Sequence, residues 1–205
     1  MPIKVHHLRV GRSVFTVWLL EELGLQYELE IYNRDENGRA PASLKKIHPL
    51  GKSPVVEVDG FIMAESTAIA LYVVETRDAN RIFITPGDDA ERARWLQLLL
   101  YPEGSAFVPM LLKLLLSREA EPKPMLISMF TEAEVQLHLG FIRDQLGDND
   151  YLFGDRIALP DIGMGYIASM ANNLGLLDDY PTIKAYAERC MARPAFKRAV
   201  EKTGG

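Results

Sequence analysis

The stretch Gly51–Ser66 reads GKSPVVEVDGFIMAES and contains the signals on which the fold prediction depends. Pro54 has no amide hydrogen to donate within a sheet, so it belongs at the head of the run PVVEV rather than inside a strand. Asp59-Gly60 then separates this run from FIMA, and Asp-Gly between two apolar runs is a strong β-hairpin signal. A helical pattern begins at Ser66. The stretch therefore predicts a hairpin that leads directly into a helix.

The chain ahead of the hairpin predicts a strand, a helix and a second strand. Residues 3–8 (IKVHHL) are β-like, and residues 27–32 (YELEIY) alternate apolar and acidic side chains with the period of a half-buried strand. Between them, SVFTVWLLEELG has Ser13 as a possible N-cap and Gly24 as a helix stop. This order favours a parallel strand pair. With a short helix at LKKIH, residues 1–79 have the element order of a thioredoxin-like α/β domain.

The remaining chain predicts helices only. The stretch RDANRIFITPGDD (residues 77–89) breaks the pattern with polar residues, Pro86 and Gly87, so we expect a linker over residues 80–88. Residues 89–205 carry apolar side chains at three- and four-residue spacing in every segment. We therefore expect an all-α helical-bundle domain over 89–205, behind the thioredoxin-like domain.

Composition narrows the class of protein. The 205 residues include 23 Lys+Arg and 28 Asp+Glu, a net charge of -5, which disfavours nucleic acid as a partner because phosphate binding needs clustered positive charge. Cys190 is the one cysteine, which fits a reducing cytoplasm. The opening MPIKVHHLRV does not have the pattern of an export signal. The apolar run Leu96–Leu116 is interrupted by Pro102 and Pro109, so we expect core helices rather than a membrane span.

Five residues around the hairpin suit a receptor for a short anionic peptide. A cis bond between Ser53 and Pro54 would turn the Ser53 backbone outward, where an extended peptide can pair with it as an added strand. The Ser66 hydroxyl and the first-turn amides suit a carboxylate, and Glu65 suits an ammonium group. Lys52 offers a cation for a second carboxylate. Taken singly, these residues have plainer roles: Pro54 opens a strand, Ser66 caps a helix and Lys52 is solvated.

Three segments resemble cytosolic glutathione transferases, particularly bacterial and fungal members close to the serine type. They are HHLRVGRSVFTVWLLEELGLQYELEIY (residues 6–32), HPLGKSPVVEVDGFIMAESTAIALYVVE (48–75) and YPTIKAYAERCMARPAF (180–196). The resemblance covers nearly the whole chain, including the domain order. It implies that γ-glutamyl-cysteinyl-glycine binds with its γ-glutamyl end at Glu65 and Ser66. The cysteinyl backbone would then lie on Ser53, and the glycyl carboxylate near Lys52.

The start of the first predicted helix departs from the family pattern. The resemblance implies that a donor here stabilises the glutathione thiolate, which is the nucleophile. In LRVGRSVF, Gly11 stands where serine-type members carry the activating hydroxyl. Three alternatives stay open for the donor: the Ser13 hydroxyl, the Arg12 guanidinium, or the backbone amides of Gly11, Arg12 and Ser13.

The second domain is expected to supply the pocket for an electrophile. Tyr101 and Phe107 are candidates for its wall, although aromatic residues at helical spacing are more often core. By resemblance, Glu103 reaches the γ-glutamyl amine bound by a partner subunit, which implies a homodimer. No metal site is expected, because ligand spacing is lacking among the four histidines, His6, His7, His48 and His138.

These observations lead to one main hypothesis and two alternatives. The main hypothesis is a cytoplasmic, homodimeric glutathione transferase that conjugates its co-substrate glutathione to small hydrophobic electrophiles, with no metal, nucleic-acid or membrane partner. The glycine at position 11 keeps open a weakly catalytic or non-catalytic binding or regulatory module of the same fold. The third hypothesis is a glutathione-dependent disulfide reductase that uses no protein cysteine.

Overall fold

The structure, a computed structural model, describes residues 2–83 and 87–204. The chain divides into two compact units. These are Met1–Phe83 together with Ala192–Gly205, and Ile84–Met191. The linker expected over residues 80–88 includes residues 84–86, which lie outside the described residues.

The first unit contains a four-stranded sheet with the strand order β2-β1-β3-β4. Its strands are β1 (Ile3–Leu8), β2 (Tyr27–Tyr32), β3 (Val55–Val58) and β4 (Phe61–Ala64). β1 runs parallel to β2 and antiparallel to β3, and β3 pairs with β4 as a hairpin. The last pair of that hairpin is Val58 with Phe61, so Asp59 and Gly60 form the turn, as predicted. The central strands β1 and β3 are mostly buried.

Helices α1 (Ser13–Glu22) and α2 (Ala42–Ile47) connect β1 to β2 and β2 to β3, and α3 (Ser66–Arg77) follows β4. The resulting element order confirms the thioredoxin-like prediction. One detail of α1 was predicted wrongly, because Arg12 occupies the N-cap position and Ser13 is the first residue of the helix. Gly24 follows the helix with a φ of 64°, a backbone conformation that glycine adopts without steric cost, and it ends α1 as expected.

The second unit is built from helices. They are α4 (Asp89–Tyr101), α5 (Phe107–Leu116), α6 (Met125–Leu146), α7 (Leu159–Asn173) and α8 (Pro181–Ala192), with a π-helical turn (Pro102–Ala106) between α4 and α5. The Asp88 side chain caps α4 by accepting a hydrogen bond from the Glu91 N–H at 2.8 Å. The all-α prediction for this part of the chain is confirmed.

The apolar run at α4 and α5 is more continuous than the sequence indicated. Neither Pro102 nor Pro109 ends the helix. At Pro102, which lacks an N–H, the π-helical turn widens the backbone. The resulting 28-residue segment has a mean hydropathy of 1.3 in its most apolar window, of which 33% is buried. By length and composition alone it could cross a membrane, a test that the core helix of a soluble protein also passes.

The last helix, α9 (Pro194–Thr203), belongs to the first unit and packs along α1. This differs from the expected helical domain over 89–205. Two acidic residues of α1 hold α9 through the pairs Glu21–Arg198 at 2.6 Å, Glu21–Lys202 at 2.5 Å and Glu22–Arg193 at 2.5 Å. Trp18 and Phe196 also meet edge to face, with ring centroids 5.3 Å apart. These contacts join distant parts of the sequence, so local periodicity did not reveal them.

Candidate functional site

The predicted binding residues of the first unit lie at one end of its sheet. In the β3–β4 hairpin, Val55 pairs with Ala64, so the residues just before Val55 and just after Ala64 leave the ladder at the same end. β1 runs antiparallel to β3 and therefore ends there too, which the 3.1 Å hydrogen bond from the Leu8 N–H to the Ser53 Oγ shows directly. The topology thus brings the β1–α1 turn, the Lys52–Pro54 segment and Glu65-Ser66 to a common edge.

The Ser53-Pro54 peptide bond is cis. The Ser53 hydroxyl donates to the His6 carbonyl at 2.7 Å and accepts from the Leu8 N–H, so it joins this segment to the end of β1. Pro54 is buried, Ser53 is half-buried and Lys52 is exposed. No carboxylate lies within ion-pair distance of Lys52 among residues 2–83 and 87–204, so its ammonium group is available to a ligand.

Glu65 and Ser66 stand where β4 passes into α3. Glu65 occupies the N-cap position with φ 72° and ψ 109°, a left-handed conformation that is uncommon for a residue with a side chain. Ser66 is the first residue of α3, and within the described residues its hydroxyl makes no hydrogen bond. The first-turn amides of α3 have no intrahelical partners, so this end of the helix carries partial positive charge and free donors. It has the chemistry of a carboxylate site.

The β1–α1 turn leaves no room for a side chain at Gly11. A Cβ built on Gly11 would lie 2.8 Å from the Leu8 carbonyl oxygen, and a backbone atom at that distance has to shift. Val10 next to it has a φ of 55°, which is a rare conformation for a β-branched residue. Gly11 is therefore required by the close approach of two backbone segments.

The Ser13 hydroxyl is enclosed within the first unit. Ser13 and His7 are both fully buried, and the Ser13 Oγ lies 2.8 Å from the His7 Nδ1. Burial, and next the charge of Arg9, lower the pKa of His7 to about 4, so His7 is neutral at neutral pH. This burial and pairing disfavour the catalytic role considered for Ser13. Arg12, at the N-cap of α1, and the turn amides remain as candidates for that role.

Sequence reasoning missed Arg34, which contacts the same turn. Its guanidinium donates to the carbonyl oxygens of Arg9 and Val10 at 3.0 and 2.8 Å, and to that of Gly38 at 2.8 Å. Arg34 lies in a polar loop after β2 and belongs to no recognisable motif. The parallel β1–β2 pairing was the available signal, since it brings the residues after both strands to the same sheet end.

The remaining predicted residues belong to the second unit. Tyr101 ends α4 and its hydroxyl lies 2.5 Å from the His138 Nδ1; burial, followed by the charge of Glu134, raises the pKa of Tyr101 to about 12. Phe107 begins α5 and stacks on Tyr166 with centroids 5.9 Å apart. Glu103 lies in the π-helical turn.

Metal ligands do not gather anywhere in the described part of the chain, where no group of three or more His, Cys, Asp or Glu residues is arranged to hold an ion. Cys190 is buried in the second unit.

The fold defines a protein of the thioredoxin-like class with a second, helical unit. At one end of the sheet of the first unit lie groups that suit a small peptide. Two family models match the chain: "Glutathione S-transferase, N-terminal domain" over residues 1–75 and "Glutathione S-transferase, C-terminal domain" over residues 111–194. Glutathione S-transferase 1 of Saccharomyces cerevisiae is 31% identical over 98% of this chain and 94% of its own length. The chain belongs to the glutathione S-transferase family.

Solved structures agree with this assignment. A glutathione S-transferase from Actinobacillus pleuropneumoniae is 31% identical and superimposes with a TM-score of 0.87, over 99% of this chain and 93% of that one. A glutathione transferase homolog from Lodderomyces elongisporus, solved with two GSH per subunit, has the same fold at 22% identity, with a TM-score of 0.82 over 98% and 99% of the two chains. The likeness therefore extends over both units of the fold.

Proposed function

We propose that the protein is a glutathione transferase that conjugates the glutathione thiolate to small hydrophobic electrophiles. The observation that carries this proposal is the convergence of Lys52, Ser53 and Glu65-Ser66 on the sheet end where α1 begins. Family membership adds support, since the relatives that match over both domains are named glutathione S-transferases. The proposed biological role of the protein is detoxification in the cytoplasm.

The proposed binding mode matches each charged end of glutathione to a group of opposite polarity. The γ-glutamyl carboxylate accepts hydrogen bonds from the Ser66 hydroxyl and the first amides of α3, while Glu65 receives the γ-glutamyl ammonium group. The cysteinyl backbone pairs with the Ser53 backbone as a short added strand. Lys52 receives the glycyl carboxylate. This arrangement directs the cysteinyl sulfur toward the start of α1.

Catalysis in this proposal consists of stabilising the thiolate. A free thiol with a pKa near 8.5 is only a few per cent ionised at neutral pH, and a hydrogen bond to the anion contributes about 1.5–3 kcal/mol. The backbone amides at Gly11 and its neighbours, the Arg12 guanidinium and the dipole of α1 are the proposed sources of this stabilisation. Ser13 is the weakest candidate because its hydroxyl is buried against His7.

The second unit supplies the electrophile site in this proposal. Tyr101 and Phe107 form part of an apolar wall, and Glu103 reaches the ligand of the partner subunit in a homodimer. Supporting the dimer, α4, α5 and α6 expose several large apolar side chains, among them Leu100, Val108 and Leu137. Nucleic acid, membrane and metal have no part in the proposed reaction.

The decisive experiment combines glutathione calorimetry with turnover of an activated chloro-nitroaromatic. We expect wild-type protein to bind glutathione and to form the conjugate. Ser66→Ala should raise the KM for glutathione about tenfold with a smaller change in kcat, because the lost contact is made equally in the ground state and the transition state. Ser43→Ala, which removes an exposed hydroxyl from α2, is the matched control and should behave as wild type.

Two other outcomes identify the alternatives. Glutathione binding without conjugation favours a binding or regulatory module, an alternative supported by the missing hydroxyl at Gly11 and the buried one at Ser13. Turnover of a glutathionyl disulfide without conjugation favours the disulfide reductase. If calorimetry at millimolar glutathione detects no binding, the proposed function is wrong.

A further inference from the structure

Arg34 holds the backbone of the β1–α1 turn by two adjacent carbonyl groups. The Nε donates to the Arg9 carbonyl at 3.0 Å and the Nη2 donates to the Val10 carbonyl at 2.8 Å. Only a guanidinium offers two donors in a fixed fork that matches such a pair of acceptors. Arg34 therefore fixes the orientation of two successive peptide groups.

The orientation of these peptides determines where their N–H groups point. Both peptide bonds are trans, and a trans peptide directs its C=O and N–H to opposite sides. Because the Arg9 and Val10 carbonyls face the guanidinium, the N–H groups of Val10 and Gly11 face the other side of the turn. Within the described residues, neither N–H donates a hydrogen bond. The turn thus presents two free donors on one side.

A second feature favours an ordered position for Arg34. Its third hydrogen bond goes to the Gly38 carbonyl, which is part of a loop closed by Asp35. The Asp35 Oδ1 accepts from the N–H groups of Asn37 and Arg39 at 2.9 and 2.8 Å, and the Gly38 N–H donates to the Asp35 carbonyl at 3.0 Å. The guanidinium is thus fixed between two loops although the residue is exposed.

The charge of Arg34 is also uncompensated. No carboxylate lies within ion-pair distance of its guanidinium in residues 2–83 and 87–204. Its Nη2 lies 3.7 Å from the point where a Cβ on Gly11 would stand, so a full positive charge is adjacent to the turn. Such a charge favours an anion bound nearby.

We propose that Arg34 is a positioning residue for the glutathione thiolate. It holds the Arg9–Gly11 turn in the strained conformation that directs the Val10 and Gly11 N–H groups toward the sulfur. The turn then replaces the side-chain hydroxyl that this chain lacks at position 11. This inference rests on the proposed glutathione transferase function, and it identifies the residue that sets the pKa of the bound thiol.

The test measures the ionisation of bound glutathione in wild type, Arg34→Met and Arg34→Lys. Thiolate absorbance in the ultraviolet, recorded against pH at saturating glutathione, gives the thiol pKa. We expect Arg34→Met to raise that pKa by about one unit, which lowers the thiolate fraction and kcat/KM at neutral pH by up to about tenfold, with recovery at high pH. Glutathione affinity measured by calorimetry at a pH well below the pKa of the bound thiol should change little, because Arg34 contacts none of the proposed ligand groups.

Arg34→Lys separates positioning from charge. A lysine keeps the charge but cannot bind two neighbouring carbonyls in one plane, so its thiol pKa should also rise. The matched control is Arg39→Met, which should leave the pKa of the bound thiol unchanged. Arg39 is an exposed residue of the same loop, and only its backbone makes hydrogen bonds there.

Two results overturn the proposal. One is an Arg34→Met protein that binds glutathione with the wild-type thiol pKa. The other is an Arg34→Lys protein with full wild-type behaviour, which would leave only a charge effect. Failure of the wild-type protein to bind glutathione is a different result, since it contradicts the proposed function itself. Thermal unfolding of each variant checks that the fold is intact.

Discussion

At the scale of single residues, the conformation of the turn before α1 depends on the absence of a side chain at Gly11. Adding a side chain here should reduce activity, because a Cβ would meet the Leu8 carbonyl oxygen at 2.8 Å and displace the turn. We expect Gly11→Ser to lower kcat/KM and to destabilise the protein by about 1–3 kcal/mol, the usual cost of overpacking. Activity assays and urea unfolding measure the two effects.

Gly140→Ala is the matched control for Gly11→Ser. Gly140 lies inside α6 with open space around a built Cβ, so alanine should leave stability unchanged or raise it by about 0.5–1 kcal/mol. A Gly11→Ser variant with higher turnover and unchanged stability would contradict this interpretation. It would mean that position 11 lacks only a hydroxyl.

Asp161 is the polar residue on which the second unit should depend most. It is fully buried, and its carboxylate accepts from the Ala158 N–H at 2.7 Å, the Leu152 N–H at 3.0 Å and the Tyr186 hydroxyl at 2.9 Å. Asp161→Ala leaves these donors unpaired, so we expect a loss of at least about 3 kcal/mol. Urea unfolding measures it, with the exposed Asp155→Ala as control. Equal stability of the two variants would contradict the prediction.

The residues that the sequence could point to differ in a physical way from those that it could not. Glu65-Ser66 and Ser53-Pro54 could be proposed as binding residues because a helix start and a strand start have local chemical signatures. Arg34 was missed because its role depends on carbonyl groups more than 20 positions away, which no local pattern encodes. Ser13 was considered for a catalytic role because its sequence position alone does not show that its hydroxyl is buried against His7. That burial depends on tertiary packing.

At the scale of secondary-structure elements, the attachment of α9 to α1 should depend on pH through Glu21. Burial, the largest influence, would raise the pKa of Glu21, but hydrogen bonds from Lys202, Tyr27 and Arg198 together lower it to about 2. A carboxylate whose pKa is lower in the folded state contributes stability above its unfolded pKa near 4.5, and that contribution is lost as pH falls toward about 2. The upper limit of the contribution is about 3 kcal/mol.

Glu21→Gln tests this dependence. We expect the variant to be less stable than wild type at neutral pH, and the difference in free energy of unfolding to shrink as pH falls below about 4.5. Urea unfolding at a series of pH values measures it. Glu201→Gln, on the exposed side of α9, should match wild type throughout. If the loss of stability in Glu21→Gln does not change with pH, the packing of the Glu21 side chain, and not its charge, holds α9 against α1.

The elements themselves were largely predictable, while their continuity was not. The hairpin, the β-α-β opening and the helices of the second unit follow from periodicity and from turn residues such as Asp59-Gly60. The passage from α4 to α5 through a π-helical turn was missed, because Pro102 reads as a breaker unless the widened turn is known. The sequence analysis placed α9 with the helices of residues 89–205, because its ion pairs with α1 join residues far apart in the chain.

At the scale of the whole molecule, the exposed apolar surface of the second unit predicts self-association. Leu100 and Val108 recur on one face of the α4–α5 segment and are 58% and 53% exposed. On α6, Phe130 and Leu137 share a face and are 53% and 64% exposed. Soluble monomers rarely expose so many large apolar side chains on adjacent helices, and most symmetric oligomers are two-fold dimers. We therefore expect a homodimer in solution.

Phe130→Glu combined with Leu137→Glu tests this surface. Burying two carboxylates in an apolar interface is costly, so the double variant should be monomeric at concentrations where wild type is dimeric. Sedimentation equilibrium measures the mass, and Ile31→Glu, an exposed apolar residue of the first unit, is the control that should remain dimeric. A wild-type protein that is monomeric at micromolar concentration would contradict the prediction. If Glu103 acts across the dimer as proposed, glutathione affinity should fall in the monomeric variant, and restoring the dimer at high protein concentration should restore it.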